Sequence, residues 1–457
     1  MDFPTRPPPS QESLQRYYTG KDISSVPKPA VVLDVAIIKR HCASMLDTVK
    51  ALDVGFRAHV KTHKTPQIAR LQVGEDKSIP ANFVISTLLE GETLLPLLKD
   101  LRATGRKVNV LYGIPLVPSQ VPRLAALARE LGKGSISVMI DHPDQVPYLA
   151  EFRELAGHAA TVFLKVDSGY HRAGLPPSML NKGGLVEKVI EGEREGRLVL
   201  LGVYSHNSLS YGGGTPEEVM GFLIEEITGC REALRKNKEL FTLPGGRDRE
   251  LVVSVGATPQ VVVVKKLLEK QEGLLSEEAR RLKSLLHEKD VDGRGLSVNV
   301  ELHAGVYPVL DMQQLGTNIH PTGDAEKEVG ISVVAEVCSV YNDAERSKPE
   351  ALVAAGSLAL GREPCKSYPG WGVVGDWRRE RGSSRLIVDR ISQEHAIVAW
   401  EGRDGSAIPL KVGQAVRIYP NHACVTGALY GWYLVVDSSR DGDGSTIVDV
   451  WPRPTGW

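Results

Sequence analysis

The run Phe56-Arg57-Ala58-His59-Val60-Lys61 ends in a lysine before the chain breaks into Thr62-His63-Lys64-Thr65-Pro66. A short apolar segment that stops at a lysine sets its amine at the carboxyl end of a buried strand. Desolvation and nearby cations lower the pKa of such an amine, so it can condense with an aldehyde as a nucleophile and later act as a base. A solvated lysine in a strand-to-helix loop has the same local sequence, so the assignment depends on what converges around Lys61. His59 and His63 flank it and either tune its charge or contact substrate, or lie at the surface.

Several other segments could supply that company. Ser254-Val255-Gly256-Ala257-Thr258-Pro259 offers hydroxyls and a glycine that bares backbone N–H groups at the opening of a helix, where an anion is favoured. His303-Ala304-Gly305-Val306-Tyr307-Pro308 brings a glycine and a tyrosine hydroxyl. Ser254, Gly256, Ala257, Thr258, Gly305 and Tyr307 therefore read as a phosphate cup, against the ordinary structural use of glycine in such turns. In Lys165-Val166-Asp167-Ser168-Gly169-Tyr170-His171-Arg172-Ala173-Gly174, Arg172 could meet a phenolate oxygen and Tyr170 a ring face; a salt-bridged turn is the alternative. Tyr204 and His206 follow in Gly202-Val203-Tyr204-Ser205-His206-Asn207. Aromatic, cationic and hydroxyl groups at one mouth suit a planar phosphorylated cofactor.

A metal-type pair stands near the other end, in Tyr419-Pro420-Asn421-His422-Ala423-Cys424-Val425-Thr426. In extended backbone His422 and Cys424 point to one face, where imidazole and thiolate bind a borderline metal such as zinc. Two protein ligands leave coordination positions for water or substrate, as a catalytic site requires. A packed, unmetallated pair is the plainer alternative.

These groups need a scaffold. Short β-branched runs at 56–60, 83–87, 108–112, 137–140, 162–167, 200–206, 251–256 and 298–303 alternate with helical patterns such as 121–131, 185–195 and 216–235. Strands alternating with helices in this number predict an α/β fold, a (β/α)8 TIM-type barrel, with a doubly wound sheet as the alternative. In a barrel the active site gathers at the strands' carboxyl ends, with phosphate near the seventh and eighth loops. A further strand at 30–34 precedes a helix over 35–52 and is expected to join the other domain's sheet; 265–290 reads as a charged surface insertion. Beyond about residue 325 short strands separated by Gly, Pro, Asp and Ser predict an antiparallel β domain. The expected division is a flexible lead-in at 1–28, a barrel at 29–318 and a β domain with the metal pair at 319–457.

Composition narrows the class of partner. With 457 residues, 42% hydrophobic, 24% charged and a formal net charge of -1, the chain is an ordinary globular protein of two domains. That balance argues against nucleic acid or an anionic membrane as partner, and no apolar stretch approaches the roughly 20 residues of a membrane span. The opening Met1-Asp2-Phe3-Pro4 lacks the apolar core of a secretory signal. Cys42, Cys230, Cys338, Cys365 and Cys424 form no CxxC motif, which suggests free thiols in a reducing compartment, the cytoplasm.

Taken together, the segments around Lys61, Asp167–Gly174, Ser254–Pro259, Gly305–Tyr307 and Pro420–Cys424 resemble the D-serine dehydratase and D-threonine aldolase family. This is a family of fold-type III pyridoxal-phosphate enzymes related to alanine racemase, and the resemblance runs from about Pro29 to the carboxyl end. It implies a (β/α)8 barrel with a β domain, a homodimer with sites at its interface, and Lys61 as the Schiff-base lysine. His-x-Cys rather than His-x-Asp implies the eukaryotic-type, zinc-dependent D-serine dehydratase branch. The implied reaction is elimination of a D-amino acid, D-serine, to pyruvate and ammonia, with metal-assisted aldol cleavage of D-threonine as the alternative. A non-catalytic pyridoxal-phosphate carrier fits less well, because a carrier needs no metal. The chain departs from the family pattern at Ser208 and Leu209, where glycine and a second histidine are common, and at Ala58, where proline is usual.

Overall fold

The computed structural model describes residues 9–242, 248–269, 272–291, 293, 295–320, 324–378, 384–402 and 405–457. Two compact units emerge: residues 43–61 and 69–305 with 457 form one, and residues 1–42, 62–68 and 306–456 the other.

The first unit is a closed parallel barrel. Its strands are β2 (Gly55–His59), β3 (Ala81–Ile85), β4 (Val108–Pro115), β5 (Ile136–Ile140), β6 (Ala160–Lys165), β7 (Leu198–Tyr204), β8 (Arg249–Val255) and β9 (Leu296–Ala304). β2 pairs with β9 to shut the ring. The intervening helices bury one stripe each. In Val121–Leu131, Val121, Leu124, Ala125, Ala128 and Leu131 recur at helical spacing on the buried side, and Gly132 ends the helix at φ +79. Pro216–Lys236 opens on Thr215, whose side chain accepts the Glu218 N–H, with acidic residues in its first turn and Arg235 and Lys236 in its last.

The barrel interior has an apolar layer of Val84, Leu111, Met139, Phe163 and Tyr204. It also carries a polar layer. Arg57 on β2 donates to Glu301 on β9 (Nε to Oε1, 2.7 Å) and to Asn109 on β4 (2.7 Å), while Asn82 on β3 donates to the other Glu301 oxygen at 2.9 Å. Arg57 also donates to the Phe83 carbonyl of β3 (3.3 Å) and reaches on to Asn109, so these side chains meet across the barrel's inside. Gly202 is required where β7 nears β8: a Cβ there would lie 1.9 Å from the Val252 carbonyl oxygen.

The second unit is an antiparallel sheet closed on itself. Its strands are β10 (Ile331–Tyr341), β11 (Glu350–Val353), β12 (Gly372–Val374), β13 (Leu386–Ile391), β14 (Ala396–Trp400), β15 (Ala415–Pro420), β16 (Trp432–Val436) and β17 (Ile447–Pro452), together with β1 (Ala30–Asp34). The ring runs β10-β11-β14-β13-β12-β15 and back to β10. Val333, Val337, Val353, Leu386, Val388, Val398 and Ile418 are among the residues that fill it. β1 lies antiparallel to β10 and parallel to β16. Residues 1–8 of the expected lead-in lie outside the described residues. From Ser10 onward the lead-in is structured: the helix Gln11–Tyr18 docks through Gln15 on Asp449 (2.7 Å), and Ile23 is fully buried. Within 265–290, residues 270 and 271 lie outside the described residues, and the helix Glu277–His287 buries Ala279, Leu282 and Leu286. Among the described residues no helix is long and apolar enough to cross a membrane.

Candidate active site

In the barrel unit, Lys61 follows β2 and is half-buried, at the carboxyl ends of the strands. Its backbone N–H donates to His59 Nδ1 (3.3 Å), so that nitrogen is an acceptor, and His59 Nε2 faces the Ser86 hydroxyl at 3.5 Å.

β6 and β7 lead into the next two contributors. After β6, Asp167 Oδ1 accepts the N–H groups of Gly169 and His171, both at 3.0 Å, and its Oδ2 pairs with His171 Nδ1 at 2.8 Å. This turn presents Tyr170 half-buried and Arg172 exposed, with the guanidinium 5.2 Å from the centre of the Tyr170 ring. At the end of β7, Tyr204 is buried and stacks on His303 of β9, the ring centres 4.3 Å apart and the planes within 7°. Burial pushes its phenol up. His206 comes next, its Nδ1 on the Gly256 carbonyl (2.7 Å) and its Nε2 on the Ser208 hydroxyl (2.9 Å). Burial first, then the charges of Lys61 and Arg172, push the His206 pKa well down, so the ring is neutral.

The seventh and eighth loops are tied together. Thr258 Oγ1 accepts the Gly305 N–H at 3.3 Å, and Ala257 precedes the short helix Thr258–Val263. Gly256 has φ +132, and a Cβ on it would stand 2.7 Å from the His303 carbonyl oxygen, so the close approach needs glycine. Its N–H is already given to Glu226 Oε2 at 3.0 Å. The Ser254 hydroxyl is also committed, donating to Glu301 (2.9 Å) and meeting His303 Nδ1 at 3.2 Å. Tyr307 belongs to the second unit, where its side chain lies beside the buried Cys42 thiol. The structure thus joins Tyr204, His206, Ser254, Gly256, Thr258 and Gly305 in one network and leaves Arg172 stacked on Tyr170 alongside.

Sequence reasoning passed over three members of the barrel cluster. His303, near the end of β9, carries no signal in the sequence beyond opening a loop. Lys165 is buried, donates to the Val166 carbonyl (2.9 Å) and has its pKa lowered by burial. Glu226, inside the helix Pro216–Lys236, is fully buried, and burial raises its carboxyl to about 7 against the opposing charge of Lys165. A signal existed for Glu226: it interrupts the apolar stripe of Leu223, Ile224, Ile227 and Cys230 with a charge.

In the second unit, His422 and Cys424 are drawn together differently from expectation. Only His422 is extended; it caps the helix Ala423–Ala428, and Cys424 sits in that helix's first turn. The reason is local. Pro420 ends β15, and Asn421 is held by the Tyr368 hydroxyl and by its own amide's bonds to the Glu363 and Gly370 carbonyls at 2.9 and 2.8 Å. Buried Asp311 accepts the Ala423 N–H with Oδ2 and the Gln314 N–H with Oδ1, both at 2.9 Å, so one carboxylate starts two helices. The Cys424 thiol neighbours the His422 imidazole. Burial lowers its pKa, but the thiol and the charges of Cys424, Asp311 and Glu363 outweigh burial and push it up to about 9. Cys424 Sγ lies 3.1 Å from Thr62 Oγ1. His63 Nδ1 is occupied by the Thr65 N–H at 3.0 Å.

Two orphaned atoms test whether the expected groups fit. His303 Nε2 in the barrel and His422 Nδ1 in the β domain are buried without a hydrogen-bond partner. The first suits a ring-shaped ligand with a donor edge, and the second, with the adjacent thiol, suits a metal that takes nitrogen and sulfur. Among the described residues no group of three or more His, Cys, Asp or Glu is arranged to hold a metal.

Comparison with known proteins matches residues 33–258 to "Alanine racemase, N-terminal domain" and residues 330–436 to "Putative serine dehydratase domain". The D-serine dehydratase of Schizosaccharomyces pombe is 33% identical over 451 residues, 98% of this chain and 96% of that protein. Among solved structures, a cysteine-to-alanine mutant of D-threo-3-hydroxyaspartate dehydratase in the metal-free form aligns with TM-score 0.70 and 27% identity over 96% of this chain and 100% of that one. An alanine racemase of Clostridium difficile 630, in complex with cycloserine, shares the fold at TM-score 0.53 and 14% identity, over 93% of this chain and 98% of that one.

Proposed function

The chain belongs to the D-serine dehydratase family of alanine racemase-like, fold-type III pyridoxal-phosphate enzymes, and from that premise we propose that it converts D-serine to pyruvate and ammonia with the help of zinc. The observation that carries this reading is the His422–Cys424 pair: the thiol neighbours the imidazole, whose Nδ1 is buried without a partner, and the sulfur is 3.1 Å from the Thr62 hydroxyl.

Pyridoxal phosphate supplies an electron sink for charge left at Cα, and zinc supplies a Lewis acid that makes a β-hydroxyl a better leaving group. Lys61 is the residue assigned to hold the aldehyde, and its amine is the base for the Cα proton. Thr258 and Ala257 are assigned to the phosphate, Gly256 and Gly305 to the close packing of the loops that carry them, Ser254 to the support beneath, and Arg172, Tyr170 and Tyr204 to the ring. His422 and Cys424 hold the metal, and Asp311 keeps the turn that carries them in place. The protein is proposed to work as a cytoplasmic homodimer, which light scattering tests directly as twice the 49.8 kDa of the chain.

The deciding experiment incubates purified protein with D-serine, L-serine and D-threonine, with and without a chelator. Pyruvate from D-serine alone, lost with the chelator, is expected. Glycine and an aldehyde from D-threonine, without pyruvate from D-serine, would reassign the chain to aldol cleavage.

A further inference from the structure

His303 presents an acceptor that the barrel itself leaves unused, and the bonds around it decide which nitrogen that is. Arg57 engages Glu301 through Nε (2.7 Å) and NH2 (3.2 Å), one to each carboxylate oxygen, so Glu301 is a carboxylate and only accepts. The Ser254 hydroxyl gives its single hydrogen to Glu301 Oε1 at 2.9 Å. Having no second hydrogen, Ser254 can only accept from His303 Nδ1, 3.2 Å away. His303 Nδ1 thus bears the proton, and Nε2 keeps a bare lone pair.

The ring is also locked in orientation. It stacks on Tyr204 at 4.3 Å, lies 5.7 Å from the His206 ring, and is 2% exposed. Burial comes first among the forces that hold it neutral, joined by the neighbouring cations of Lys165 and Arg57. Yet Nε2, at the strand ends where Lys61 and the phosphate loops also stand, has no donor. An acceptor buried without a donor costs about 1–3 kcal/mol, and a fold seldom carries that without use.

Resting on the cofactor assignment proposed above, we propose that His303 Nε2 accepts a hydrogen bond from the protonated ring nitrogen of pyridoxal phosphate. The relay Arg57–Glu301–Ser254–His303 then sets how strongly the ring holds its proton. The carboxylate, acting through the serine hydroxyl, raises the basicity of Nε2, and the Arg57 cation behind it limits that rise. A ring that keeps its proton is a stronger electron sink than one that surrenders it.

The test measures binding rather than turnover. Apoprotein is titrated with pyridoxal phosphate and with its 1-deaza analogue, in which ring nitrogen is replaced by C–H. Wild type is expected to hold the natural cofactor about tenfold to a hundredfold more tightly, the range for a hydrogen bond to a charged group. His303→Phe is expected to hold the two alike. Equal affinity of wild type for both, or unchanged discrimination in His303→Phe, overturns the proposal while leaving the cofactor assignment standing. Uptake of neither compound by wild type overturns both. Because the variant could misfold, a second measurement uses wild type alone: the nitrogen-15 resonance of ring-labelled cofactor should show a protonated, hydrogen-bonded nitrogen, and a free-base resonance refutes the assignment.

Discussion

Arg57 and Glu301, 244 residues apart in the chain, form a two-point ion pair inside the barrel, with Nε 2.7 Å from one carboxylate oxygen and NH2 3.2 Å from the other. β2 and β9 are neighbours only because the barrel closes, and the pair spans that seam. Both side chains are almost wholly buried, so neither can turn to water if its partner is lost.

Removing one member should therefore destabilise strongly. Arg57→Ala or Glu301→Ala is expected to cost about 3–5 kcal/mol, the range for an orphaned buried charge. Replacing both with apolar residues of similar volume should cost clearly less. Urea denaturation of the two single variants and the double variant measures this; equal losses in all three would mean the charges contribute nothing specific.

Gly202→Ala tests the closure elsewhere on the ring. The added methyl would sit 1.9 Å from the Val252 carbonyl oxygen and 2.7 Å from its nitrogen, both backbone atoms of the paired strand. Relief requires β7 and β8 to part, which should lower stability by about 3 kcal/mol or more, at the upper end for single substitutions. A melting temperature within a degree of wild type would contradict the close approach.

Lys61→Ala should leave the fold intact and abolish both the absorbance of bound pyridoxal phosphate and all turnover. Spectra before and after desalting, read beside a pyruvate assay, decide it. Retention of either property removes Lys61 from the role assigned here.

Cys424→Ala should separate metal from cofactor. Bound zinc, measured by elemental analysis, is expected to fall below stoichiometric, and pyruvate formation with it, while cofactor absorbance persists. Turnover undiminished after zinc removal would take the metal out of the reaction.

The buried neutral histidines should make the protein less stable as pH falls through the range of a free imidazole. Burial lowers the pKa values of His206 and His303 well below that of a free imidazole, and that of His320, with help from His41, to about 4. A folded state that carries these rings neutral binds fewer protons than the unfolded chain. The stability that these rings contribute is therefore full above the free-imidazole value of 6.5 and declines as pH falls through the window down to about 4 for His320. His320→Gln should remove at most about 3 kcal/mol of that decline. Denaturation midpoints of wild type and His320→Gln from pH 7.5 to 4.5 read the difference; the same slope in both would contradict the neutral assignment of His320.

Much of this architecture was legible from local pattern. Alternating apolar runs and helical stripes marked the barrel strands in order, because periodicity depends only on neighbours in the chain. Lys61, the two glycine-bearing loops and the His422–Cys424 pair stood out by residue type and spacing alone. What the sequence left open was every relationship set by contact between distant segments. Ser254 reads as a hydroxyl for an anion, but Glu301, brought beside it by strand register, takes its hydrogen. Cys424 reads as part of an extended segment, but Asp311, 112 residues from the N–H it accepts, starts a helix there. β1 stands apart from the eight barrel runs in the sequence and joins the β domain as expected, but that it lies between β10 and β16 is decided only by the folded sheet. Periodicity specifies which side of an element is buried; which polar atoms meet on that side depends on closure and register, and those exist only once the chain has folded.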